Sequence, residues 1–271
     1  MTVDTYALDI WRLIRSAPAD GASNMAVDEA ILRAVAMGQS PPTLRFYAWE
    51  PACLSLGRGQ TVADVDREAL QAQGFDLVRR PTGGKAILHV DELTYSVVVP
   101  QSDARVVGDV VASYRRLSSA LILGLQRLGV PDVVADQRLE NRHAQGAVCF
   151  EAPSDYEITT GGRKLAGSAQ MRAQDTVLQH GAMPLYGDIT RICRCLTAHP
   201  DPARVQARAA TVEQALGRAI AWEAAVEAMV AGFGEALNLR LEPGALTDEE
   251  IGLAESLREE KYAAPAWTCR I

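Results

Sequence analysis

The residue with the strongest covalent chemistry in this sequence is Cys149, in the run Cys149-Phe150-Glu151-Ala152-Pro153-Ser154. A thiolate is a strong nucleophile, but a free thiol with a pKa of about 8.5 needs a nearby cation to ionise at neutral pH. A second segment, Gly161-Gly162-Arg163-Lys164-Leu165-Ala166-Gly167-Ser168-Ala169-Gln170, supplies cations. Lys164 or Arg163 can provide the charge, and a lysine can also donate to a carbonyl oxygen on which negative charge develops. The small residues from Ala166 to Ala169 leave room for a narrow apolar chain, with Gly167 and Ala169 as expected contacts. Taken alone, a cysteine before phenylalanine is more often a buried core thiol.

A third segment is Arg79-Arg80-Pro81-Thr82-Gly83-Gly84-Lys85-Ala86-Ile87-Leu88-His89. Gly83 and Gly84 after a strand let the backbone approach a ligand and take dihedrals that other residues avoid. Arg79 and Arg80 beside such a turn suit a phosphate, a carboxylate or a carrier's phosphopantetheine. The Gly-x-x-x-x-Gly-Lys-Ser/Thr spacing of a phosphate-binding loop is missing, and so is a dinucleotide fingerprint. A glycine hairpin with solvated arginines explains the same pattern without a ligand. His89 is a candidate acid, base or orienting group. His180, in Gln179-His180-Gly181, is read as structural more readily than catalytic, and His143 and His199 sit in polar loops.

These residues have to be positioned by regular elements. Residues 24–34 read as a helix with Asn24 as N-cap. Residues 110–129 form an amphipathic helix with Tyr114, Leu117, Leu121, Leu125 and Leu128 on one stripe, closed by Gly129-Val130-Pro131. Residues 222–237 repeat the pattern with Trp222, Val226, Met229, Phe233 and Leu237, and Thr247-Asp248-Glu249-Glu250 is a capping box. Thr43 to Trp49, Leu54 to Gly57 and the β-branched stretches within 75–99 read as strands. Residues 132–186 read as short strands joined by Gly-rich loops. Strands in neighbouring runs predict an α+β fold with mixed, largely antiparallel sheets flanked by helices. We read residues 1–271 as a single catalytic domain, with a helical C-terminal subregion from about 190 to 271.

Bulk properties narrow the function. Hydrophobic residues are 48% and charged residues 23% of the chain, as in ordinary globular proteins. The net charge is -7 with no Lys/Arg run, so general nucleic-acid binding has no electrostatic support. The N-terminus lacks the basic and apolar regions of a secretory signal, and no long apolar run suits a membrane helix. The expected location is cytoplasmic. The five cysteines do not suggest a disulfide framework, and Cys193-x-Cys195 has the wrong spacing for a Cys-x-x-Cys metal or redox motif.

Taken together and in order, these segments resemble the lipoate-protein ligase and octanoyltransferase superfamily, which shares a catalytic fold with biotin-protein ligases. The matching pieces are Asn24 to Glu29, Trp49 to Gln60, Arg79 to His89, Leu93 to Ser96, Cys149 to Ser154, Arg163 to Gln170, Gln179 to Gly181, and Lys261-Tyr262 with Trp267. Within it the chain looks most like the octanoyl-carrier-protein:protein octanoyltransferases of Gram-positive type, through Arg-Arg-Pro-Thr-Gly-Gly-Lys-Ala-Ile-Leu-His and Cys-Phe-Glu-Ala-Pro-Ser. Two positions depart from that pattern. Val90 follows His89 where many members have Asp, with Asp91 next, and Asp155 stands where a bulkier residue is expected.

The resemblance implies that Cys149 takes an octanoyl group from octanoyl-acyl carrier protein as a thioester. The lysine of a lipoyl domain or glycine-cleavage H protein then receives it as an amide. Lys164 would hold the acyl carbonyl, Gly83 and Gly84 would line the chain's path, and Arg79 and Arg80 would meet the carrier. No ATP or other cofactor is expected, because a thioester passes to an amide downhill. Both partners tend to be acidic, like this chain, so a local basic patch is expected at the site's mouth. An ATP-dependent ligase, an amidotransferase between lipoyl proteins and a non-catalytic lipoyl-binding protein are the neighbouring alternatives.

Overall fold

The computed structural model describes residues 6–136 and 157–271. Cys149 and the rest of its motif to Ser154, together with His143 and Asp155, lie outside the described residues. The chain opens with β1 (Asp9–Arg15), α1 (Gly21–Ala36), β2 (Thr43–Tyr47), β3 (Cys53–Leu56), α2 (Arg67–Ala72), β4 (Asp76–Arg79), β5 (Ile87–His89) and β6 (Glu92–Pro100). Helix α3 (Val110–Leu128) leads to β7 (Val134–Asp136), and β8 (Glu157–Thr160), β9 (Arg163–Ala173) and β10 (Thr176–Pro184) follow. The remainder comprises α4 (Pro202–Arg208), α5 (Val212–Leu216), α6 (Trp222–Leu237), β11 (Leu239–Pro243), α7 (Asp248–Leu257) and α8 (Pro265–Thr268).

Among the described residues, eight strands form one sheet in the order β11-β1-β2-β6-β10-β9-β8-β7, and β4-β3-β5 form a second. In the large sheet β1 pairs in parallel with β11 and β2, and the remaining neighbours are antiparallel. The mixed, largely antiparallel α+β arrangement is as the sequence implies. The stretch 132–186 differs in length: β9 and β10 are long strands paired over much of their course, and β10 is buried along its whole length.

Period-two alternation divides the sheet's side chains between two environments. Leu44 and Phe46 of β2, with Leu93, Tyr95, Val97 and Val99 of β6, join Leu117, Leu121 and Leu125 of α3 and Val226, Met229 and Phe233 of α6 in the largest core. Arg45, Tyr47, Thr94, Ser96 and His180 alternate with these residues and are also buried. That second, polar face lies against α1 and the small sheet.

Local capping follows the expected chemistry, with one correction. Asp109 accepts from Ala112 N to start α3, and Gly129 at φ 91 ends it. Thr247 and Glu250 form the expected capping box. Helix α1, however, begins at Gly21 with Asp20 as N-cap, not at Asn24. Asn24 is buried inside the helix, where its amide donates at 3.0 Å to both Ala19 O and Ala48 O. Its Oδ1, the atom a cap would use, accepts from Arg45 Nη2 at 2.8 Å instead. The C-terminal third is mostly helical, but β11 returns to the large sheet beside β1. Among the described residues no helix is long and apolar enough to cross a membrane.

Candidate active site

A narrow cavity lies between the polar face of the large sheet, α1 and the small sheet. Its wall includes Met25, Tyr47, Trp49, Ile87 and Ala182, with Ser55, Arg80, Gly84, His89, Thr94, Gly167, Ala169 and His180. Register explains the space. Ala169 is opposite His180 and Gly167 is opposite Ala182, so small residues face the histidine strand.

The glycine turn closes one side. An added Cβ on Gly57 would stand 1.9 Å from Gly84 O, and Gly84 itself takes φ +97, so both positions need glycine. Arg80 holds the turn from within. It donates to Gly83 O at 2.8 and 3.1 Å, to Lys85 O at 2.8 Å, and to Ser55 O and Oγ at 3.1 Å.

Arg79 is enclosed as well, and does not line the cavity. Its guanidinium donates to Gly57 O, Gln60 O, Trp267 O and Thr268 O, and Trp267 Nε1 returns a bond to Arg79 O at 2.8 Å. Arg79 therefore ties the C-terminal segment to the back of the turn. Among the residues expected to touch a ligand, Arg80, Gly84, His89, Gly167 and Ala169 meet at the cavity; Arg79 and Gly83 do not line it. Lys164 shares β9 with Gly167 and is buried, with Nζ 2.8 Å from Glu157 Oε1.

Several residues of the site were not singled out by sequence. Asp28 is fully buried and accepts from Arg45 Nη1 (2.8 Å), Ser96 Oγ (2.8 Å), Tyr47 Oη (2.9 Å) and His180 Nδ1 (3.2 Å). Burial alone would raise its pKa, but the hydrogen bond to His180 and the Arg45 charge outweigh this and hold it below the usual range. Burial pushes His180 below its ordinary value despite the opposing Asp28 carboxylate. Its Nε2 meets Thr82 Oγ1 at 2.7 Å. Glu92, Thr94 and Trp49 connect to His89, and Trp49 stacks on it with centroids 4.0 Å apart. The signal for these residues was the alternation Glu92, Thr94, Ser96 within a β-branched strand, which marks a polar but buried face. Asp91, the hairpin residue after Val90, takes φ 52 and pairs with Arg191.

With this geometry in view, the similarity to known proteins is specific. Residues 20–234 match the lipoyl protein ligase A/B catalytic domain, and the chain belongs to that family. Its relatives include the octanoyltransferase LipM of Symbiobacterium thermophilum, 41% identical over 271 residues, covering 96% of this chain and 98% of that protein. The octanoyltransferase LipM of Moorella thermoacetica is 43% identical over 270 residues, covering 97% and 98%. Among solved structures, a lipoate-protein ligase A bound with ATP superposes with a TM-score of 0.81 at 26% identity over 96% of this chain and 99% of that one. A bi-partite lipoate protein ligase from Thermoplasma acidophilum gives 0.79 at 26% identity over 96% of each.

Proposed function

We propose that this protein is an octanoyltransferase of lipoate biosynthesis, moving octanoyl from octanoyl-acyl carrier protein to a lysine of a lipoyl domain or of the glycine-cleavage H protein. The observation that carries this reading is similarity to octanoyltransferases at 41 and 43% identity over almost the entire chain. Identity to the ligase bound with ATP is 26%, which favours transfer over ATP-dependent ligation. The apolar cavity between Met25, Tyr47, Ile87 and the small residues of β9 supports a medium-length hydrocarbon chain as its occupant.

In this mechanism the Cys149 thiolate attacks the donor thioester, the acyl carbon–sulfur bond to the carrier breaks, and the pantetheine thiol leaves. The ε-amine of the acceptor lysine then attacks the Cys149 thioester, forms the amide and releases the thiol. Dividing the transfer into two steps is nucleophilic catalysis. Lys164 supplies positive charge for the thiolate or for the acyl oxygen, and Glu157 holds its ammonium in place. Gly84, Gly167 and Ala169 contact the chain, with Gly83 beside them. Arg80 shapes the turn, and Arg79 anchors it to the C-terminal segment. Residues 1–271 act as one catalytic unit in this reading.

The test is intact-mass spectrometry after incubation with octanoyl-acyl carrier protein in the absence of ATP. A hydroxylamine-labile octanoyl adduct that disappears in Cys149→Ala is the expected result. Lys164→Met should slow adduct formation by about 10²–10³-fold, the usual cost of losing one charge-stabilising donor. Octanoylation of the acceptor only when ATP is added would refute the transferase reading.

A further inference from the structure

The polar side chains of the cavity wall form a chain of hydrogen bonds whose directions are forced. Trp49 Nε1 donates to Thr94 Oγ1 at 2.8 Å, and Thr94 Oγ1 donates to Glu92 Oε1 at 2.5 Å. The same carboxylate oxygen meets His89 Nδ1 at 2.6 Å. From the other end, Arg80 Nη1 donates to Ser55 Oγ at 3.1 Å, and Ser55 Oγ lies 2.7 Å from His89 Nε2.

Indole and guanidinium groups only donate, and a carboxylate only accepts. With donors at both ends and the acceptor between them, the intermediate groups have no choice. His89 donates from Nδ1 to Glu92, and Ser55 directs its proton to Nε2. A doubly protonated ring would turn two donors onto Ser55 Oγ and leave the hydroxyl proton with no acceptor among the described residues. The same logic applies across the cavity, where Thr82 donates to His180 Nε2 and His180 Nδ1 donates to Asp28.

Trp49, Ser55, Arg80, His89 and Thr94 all line the cavity, yet none of its lining residues has a buried polar side-chain atom without a partner. We propose that this closed circuit, Trp49–Thr94–Glu92–His89–Ser55–Arg80, is a specificity determinant: its polar groups satisfy one another, so the wall accepts an unsubstituted hydrocarbon tail and disfavours a hydroxylated one. The inference rests on the cavity holding the acyl chain of the proposed transfer. A hydroxyl buried there gives up water and finds every donor of the circuit already engaged. An apolar wall rejects an added hydroxyl by roughly 10²-fold.

Opening the circuit should relax this preference. Ser55→Ala leaves His89 Nε2 as an acceptor at the cavity, and Thr94→Val leaves Trp49 Nε1 as a donor. The experiment compares kcat/KM for octanoyl-acyl carrier protein and ω-hydroxyoctanoyl-acyl carrier protein, with thermal melting of each variant as a check on folding. The wild type should favour octanoyl by about 10²-fold, and either folded variant should narrow that ratio about tenfold. A ratio unchanged in the folded variants overturns the proposal, as does a wild type with no preference.

Nitrogen-15 NMR of labelled histidine reads the circuit without turnover. The chain has four histidines, and His89→Asn assigns the relevant signal. Protonated Nδ1 and bare Nε2 at neutral pH are expected, and the opposite tautomer sinks the proposal. If the wild type transfers neither chain, the transferase reading falls, while the tautomer still decides whether the circuit exists.

Discussion

Asp28→Asn offers the most demanding test of how the site is held. Asp28 is 0% exposed and Arg45 is 2% exposed, with the two ends of their ion pair 2.8 Å apart. The substitution keeps the side chain's shape but removes the charge, leaving a buried guanidinium facing an amide. Breaking a buried pair by altering one partner costs about 3–5 kcal/mol. The upper part of that range applies, because Ser96, Tyr47 and His180 also donate to the same carboxylate. At about 2–4 °C per kcal/mol for a chain of this size, a loss of about 4–5 kcal/mol should lower Tm by about 8–20 °C. Melting followed by circular dichroism measures this, with urea titration checking that the m-value is unchanged. The double variant Asp28→Asn/Arg45→Met should recover part of the loss, since the uncompensated charge is then gone. A single variant melting within about 2 °C of wild type would refute the reasoning. So would a double variant no more stable than the single one.

Three further outcomes follow from the same geometry. Asp28 and Glu250 titrate below their reference values of 3.8 and 4.5, so their stabilisation is complete above those values and disappears as pH falls through the lower folded-state values. For Glu250, burial pushes upward but Arg12, Thr247 and Ser40 prevail. His180 titrates below 6.5, so the unfolded chain takes up its proton first and stability declines from pH 6.5 downward. Both effects have one sign: a Tm series across pH should fall on acidification, and a series flat through the histidine range contradicts it. Deleting residues 265–271 removes the carbonyls of Trp267 and Thr268 from Arg79. Charged hydrogen bonds contribute about 1.5–3 kcal/mol each, so calorimetry should show a clear loss of stability, together with a weaker KM through the glycine turn. Gly57→Ala drives a Cβ into Gly84 O and should displace the turn, which acyl-enzyme formation would register as a rate loss.

The division between sequence and tertiary structure follows the range of the forces involved. Helices α3 and α6, the Thr247 capping box and the Gly129 stop were legible because each depends on neighbours within a turn or two of chain. The glycine turn was legible as a turn, since glycine's freedom is a property of the residue. The family pattern of Cys149, Lys164 and Arg79 to His89 likewise lies in linear order. What the two arginines do was decided only in three dimensions. Both looked like ligand clamps, yet Arg79 meets carbonyls from Gly57 to Thr268, partners that no local spacing could reveal. Asn24 lost its capping role to Asp20 for the same reason, because Arg45 from β2 occupies its side-chain oxygen. Asp28 and His180, distant in sequence, become one hydrogen-bonded pair when α1 packs on β10. The sequence alone determined which groups could react and where the strongly periodic helices and the β-branched strands would lie. Tertiary packing decided which polar groups face each other, because burial makes every unpaired donor or acceptor costly and so forces specific long-range partners.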